Sequence, residues 1–103
     1  MPNGVDKNWV RLCLAIDGFR ARYNSWPNYI LLSKEYFENI QSLFSPKVFQ
    51  KLKSQITFVI DEESLIVAKD NTNRMYNYRK EGSSKIKPDI SAQEWLKVQP
   101  DLF

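Results

Sequence analysis

The sequence predicts an α+β fold: a mainly antiparallel β-meander of three to four strands with helices packed on one face. Three observations predict it. Apolar residues recur at helical spacing through the first half of the chain. The period then falls to two between residues 56 and 79, and a sharply capped helix follows near the C-terminus. Helices and strands thus segregate along the chain instead of alternating as βα units do. A length of 103 residues, with three Trp, five Tyr and six Phe, suits one compact domain, 1–103, with a single core.

The first helix is expected over residues 6–23. Trp9, Leu12, Cys13, Ile16, Phe19 and Tyr23 fall on one apolar stripe, with Lys7, Arg11, Ala15, Gly18 and Arg22 on the opposite side. Gly18 in mid-helix weakens the case by about 1 kcal/mol relative to Ala. Asn24 suits a left-handed cap, and Pro27 forbids continuation. The stretch FRARYNSWPNYILL therefore reads as a seam that turns a helix into the short apolar strand YILL. Trp26 is expected to close the edge of the core there.

Ser33 has the position of an N-cap, and Tyr36, Phe37, Ile40, Leu43 and Phe44 form the stripe of a second helix. Ser45-Pro46 starts a third, with Val48, Phe49 and Leu52 inward and Lys47, Lys51 and Lys53 toward solvent. Three β-rich runs follow, at 56–60, 65–69 and 75–79. The short gaps DEES and DNTNR between them predict antiparallel hairpins. In the last run, Tyr76 and Tyr78 would share one strand face, packed beneath the last helix against Trp95. That helix has a capping box in Ser91 and Glu94, with Ile90 and Trp95 as a hydrophobic staple, and Pro100 ends it.

The residue inventory bounds the chemistry. Histidine is absent, which removes the usual proton-transfer group and the commonest transition-metal ligand. The single cysteine, Cys13, lies on the apolar stripe and reads as a small core residue. Nucleophilic catalysis lacks a base, and the three glycines build no phosphate loop. Asp61, Glu62, Glu63 and Asp70 sit at predicted turns and offer oxygen ligands for a hard cation. Acids in exposed turns ordinarily only solvate them, so neither a metal nor any other cofactor is expected, and the chain reads as no enzyme. A carboxylate-metal hydrolase is the distant alternative.

Net charge is +3 and unevenly spread: residues 1–54 hold eight basic against four acidic residues, and 55–103 seven against eight. Two candidate surfaces for a partner or nucleic acid emerge. One is the helix stripe Lys7, Arg11 and Arg22, where Ala15 and Gly18 would let a partner approach the backbone. The other is the loop cluster Arg79, Lys80, Lys85 and Lys87. Arg20 stands apart, since its helical angle sets it on the apolar stripe. Either its stem packs and its head reaches past the helix edge, or it meets an internal carboxylate. No apolar run reaches the roughly 18 residues of a membrane span, and MPNGVDKNW lacks a signal peptide's apolar stretch. The expectation is a cytoplasmic protein with no membrane contact.

The pieces FRARYNSWP, YILL, FVIDEESLIVAKD, YNYRKEG and SAQEWL resemble a type of small, uncharacterised bacterial cytosolic protein. The resemblance implies a bacterial, cytosolic origin and brings no activity, substrate or catalytic residue with it. With catalytic groups scarce and aromatics abundant, the expected role is a regulator or accessory protein that binds another protein. A nucleic-acid-binding module using the basic helix face is the alternative.

Overall fold

The structure, a computed structural model, describes residues 7–102. Asp6, where the first helix was expected to begin, lies outside the described residues. Helix α1 spans Lys7–Tyr23. Trp9, Leu12, Cys13, Ile16 and Phe19 are buried on the predicted stripe, and so are Ala15 and Gly18, which were expected on the solvated side. The helix is thus enclosed over a wider arc than its apolar pattern indicates. Asn24 ends it with φ 52°, its N–H donating to the Arg20 carbonyl at 2.8 Å. Strand β1, Tyr29–Leu32, starts just after Pro27.

Helices α2, Lys34–Gln41, and α3, Pro46–Gln55, begin where their caps place them. Ser33 Oγ accepts from the Tyr36 N–H, and Ser45 Oγ from the Val48 N–H with Pro46 at the first helical position. Leu43 and Phe44, read as part of the second helix, lie in the turn beyond α2 but are buried as the pattern requires. Strands β2, Thr57–Ile60, β3, Ile66–Lys69, and β4, Met75–Asn77, follow. Helix α4, Tyr78–Glu81, and helix α5, Ala92–Leu96, complete the chain. The last β-rich run is therefore shorter than expected. Tyr78 opens α4, so it shares no strand face with Tyr76.

The strands form one mixed sheet in the order β2-β1-β3-β4. β1 pairs with β2 in parallel, Ile30 against Phe58, and with β3 in antiparallel, Leu31 against Val67. β3 and β4 form the hairpin that DNTNR predicts. The meander is corrected at one point: β2 and β3 are not neighbours, because β1 lies between them. YILL is a continuous apolar run, the pattern of a strand buried on both sides, and that composition favours a central place. The segment DEES accordingly bridges across β1 instead of making a tight hairpin. Asp61 builds it, its carboxylate accepting from the Glu63 N–H at 3.0 Å and from the Ser64 hydroxyl at 3.1 Å.

Register divides the sheet residues into two sets. Ile30, Leu32, Ile66, Ala68 and Tyr76 share one face and belong to the core cluster. Phe58 joins them there and meets the rings of Phe37 from α2 and Phe49 from α3. α1 approaches the same face so closely that Gly18 touches Tyr76: a Cβ at residue 18 would enter the tyrosine ring. The small residue expected to admit an outside partner admits Tyr76 instead, and Tyr76 packs on α1, not beneath α5.

Candidate functional site

The basic candidates are scattered by the fold. Lys7 is exposed at the start of α1, and Arg11 donates to Asn8 Oδ1 at 2.9 Å. Arg22 stands apart from both, since Ala15 and Gly18 between them are buried. Its guanidinium lies 4.9 Å from the Tyr76 ring centroid and makes a bidentate ion pair with Glu81. The hydrogen bonds of that pair raise the arginine's pKa and lower the glutamate's. Lys85 joins Arg22 at a cleft of about 310 Å³ that Gly18 and Tyr76 floor. Arg79 lines a different cleft, with Glu35, Glu62 and Glu63. Lys80 is exposed on α4, and Lys87 acts electrostatically on Asp17.

The remaining chemistry-bearing groups have structural partners. Burial pushes the Cys13 thiol's pKa far up, and Asp17 adds to the effect, so the thiolate nucleophile is suppressed. Burial raises Asp17, whose carboxylate accepts from the Ala92 N–H at 2.7 Å and so fastens α5 to α1. Arg20 takes the first of its two expected fates: its side chain is largely covered and its head meets an exposed carboxylate, not an internal one. Its guanidinium lies 4.8 Å from the Trp26 ring centroid and reaches the exposed Asp89 carboxylate with two bonds of 3.1 and 3.2 Å. Among the described residues, no three or more acidic or sulfur side chains gather as metal ligands would.

The sheet's second face carries what the sequence reading missed. Register places Tyr29, Leu31, Thr57, Val59, Val67, Lys69 and Met75 on it. Val67 is buried, Leu31 and Tyr29 are half-buried, and Val59 and Met75 are 39% and 43% exposed. A shallow hollow of about 320 Å³ lies here, lined by Tyr29, Leu31, Val59, Lys69 and the turn Asp70–Asn73. That turn is held firmly. Asp70 accepts from the Thr72 N–H and hydroxyl, the Arg74 N–H and the Arg74 Nε at 2.8 to 3.0 Å. Burial works to raise this carboxyl, but the bonds from Thr72 and Arg74 outweigh it and hold its pKa down to about 2. Tyr29 donates its hydroxyl proton to Asn71 Oδ1 at 2.7 Å, tying the hollow's rim to its floor.

The signal for this face was present in the sequence. YILL, FVI and IVA are apolar at consecutive positions, whereas a strand with one solvated face alternates. Among the described residues, no helix is long and apolar enough to cross a membrane. In comparison with known proteins, the chain matches no family model, no curated protein and no solved structure.

Proposed function

We propose that this is a non-enzymatic, bacterial cytoplasmic protein that works by binding another protein, as a regulator or accessory subunit, through the second face of its sheet. The reading takes the helices as gathered on the Ile30 face, which leaves the other available. The observation that carries it is that half-buried Leu31, exposed Val59 beside it and exposed Met75 at the opposite edge share one face of the sheet with the Asp70 turn. Apolar side chains presented on a firm frame are what a protein interface uses at its centre. Lys69 on the same face suits a partner that offers an acidic side chain at the rim. The absence of histidine and the burial of Cys13 support binding over catalysis.

Nucleic-acid binding has less support. It needs cations presented together, yet Arg22 is committed to Glu81 and Arg79 lies among glutamates. The test is site-specific photocrosslinking in cells, with the reactive side chain at Met75 or Leu31 and a control at Lys47 on α3. The reading expects an adduct to a second protein from the two sheet positions and none from the control. No adduct at either sheet position, or equal adducts at all three, contradicts it.

A further inference from the structure

We infer that two copies of this chain pair edge to edge through β2, antiparallel about a two-fold axis perpendicular to the sheet. The two edges of the sheet are treated differently. At β4 the chain occupies its own edge: the Tyr23 hydroxyl donates to the Met75 carbonyl at 3.0 Å, and the Glu81 carboxylate accepts from the Asn77 N–H at 3.2 Å. At β2 the inner backbone groups bond to β1 and its flanks, Thr57 N–H to Asn28 O at 3.0 Å and Asp61 N–H to Leu32 O at 2.8 Å. Strand alternation then turns the N–H and C=O of Phe58 and Ile60 outward. Among the described residues nothing bonds to them. β2 is short, but its four residues carry neither proline nor charge, and Ile60 is 48% exposed.

Of the registers that keep opposing residues on one face, the one centred on Val59 engages both outward-bonding residues at once, so Val59 meets the partner's Val59 and Phe58 the partner's Ile60. Phe58 and the partner's Ile60 are the outward-bonding residues, so they exchange both backbone bonds, and the two-fold repeats the exchange. On the core face, the partner's Ile60 enters a groove of about 230 Å³ lined by Phe37, Ile56, Phe58 and Lys53. On the second face the valines meet at the axis. Charge matches as well. β2 follows the lysines of α3, Lys51 and Lys53, and precedes Asp61, Glu62 and Glu63. The antiparallel arrangement brings the basic end of each copy beside the acidic end of the other, which an isologous interface requires of its own surface.

This goes beyond the partner-binding reading and is decided with purified protein alone, so each can fail without the other. Sedimentation from about 1 μM to about 1 mM spans the affinities expected of a small edge interface. The mass should rise with concentration from 12.2 kDa toward twice that value. Ile60→Pro removes an outward N–H and leaves the β1 ladder intact, and Val59→Lys sets like charges face to face at the axis. Both should stay at the monomer mass. In a non-bonded antiparallel pair the Cα atoms are about 4.5 Å apart, within disulfide range. Val59→Cys should therefore crosslink under a mild oxidant, and Met75→Cys, on the same face but at the opposite, occupied edge, should not. Cys13 is buried and stays out of the reaction. A wild type that remains monomeric throughout overturns the proposal. So does a dimer that survives both edge substitutions, or crosslinking at residue 75 as fast as at 59; the cysteine pair decides if an edge variant fails to fold.

Discussion

Trp26 and Trp95 lie face to face, their ring centroids 4.4 Å apart and their planes 3° from parallel. Arg20 covers the outer side of Trp26. The stack joins the turn after α1 to α5, two segments far apart in sequence, and it closes the edge of the core where the seam FRARYNSWPNYILL leaves the helix. Trp26→Ala should lower stability by about 2–3 kcal/mol, less than the 3–5 kcal/mol typical of a fully buried aromatic because the side chain is only partly buried. The double variant with Trp95→Ala should reveal a coupling of about 0.5–1.5 kcal/mol in urea denaturation. Strict additivity would mean that the stack contributes nothing of its own.

Arg22 lies a few residues away and behaves differently. Its pair with Glu81 is exposed, so Arg22→Ala should cost no more than about 1 kcal/mol. Denaturation midpoints of Arg22→Ala and Trp26→Ala, measured together, separate an outer decoration from a structural closure.

Gly18 gives the sharpest packing test. In an open helix, Gly→Ala stabilises by about 1 kcal/mol. Here the added methyl meets the Tyr76 ring, so Gly18→Ala should instead destabilise by about 1–3 kcal/mol. In a Tyr76→Ala background the obstruction is gone, and the same substitution should become neutral or favourable. Thermal melts of the four proteins in that cycle check both signs.

Local signals were legible in the sequence and long-range ones were not. Ser33, Ser45-Pro46, Ser91 and Asn24 cap where they were expected to, because each bond joins residues three or four apart. In the capping box, Ser91 Oγ accepts from the Glu94 N–H and also meets the Glu94 carboxylate at 3.2 Å, a direct contact between the side chains. Strand order was misread because a short gap such as DEES fits a hairpin as well as a bridge across an inserted strand. What decides is the pairing of YILL with a strand on each side, a property of the whole sheet. The basic helix stripe was overread for the same reason: periodicity does not reveal that Tyr76 arrives over Gly18.

Acid stability should centre on Asp70. A carboxyl held down to about 2 in the fold, against about 3.9 unfolded, stabilises the protein above the unfolded value, and that stability is lost as pH falls toward 2. Glu81, Asp89 and Asp101 are also lowered and act in the same direction. Asp17 is raised and acts in the opposite one. Asp70→Asn should flatten the acid limb of stability against pH between about 4 and about 2. Urea midpoints across that range check it, and an unchanged limb would contradict the role given to the turn.

Both the proposed binding face and the free edge depend on β1 lying between β2 and β3. Backbone NOEs in solution test that placement most directly. The account predicts contacts from β1 to both neighbours, Ile30 with Phe58 in the parallel register and Leu31 with Val67 in the antiparallel one. It predicts none linking Thr57–Ile60 directly to Ile66–Lys69 within one chain. Direct β2–β3 contacts, with β1 at the periphery, would restore the simple meander and remove the surface on which the functional reading stands.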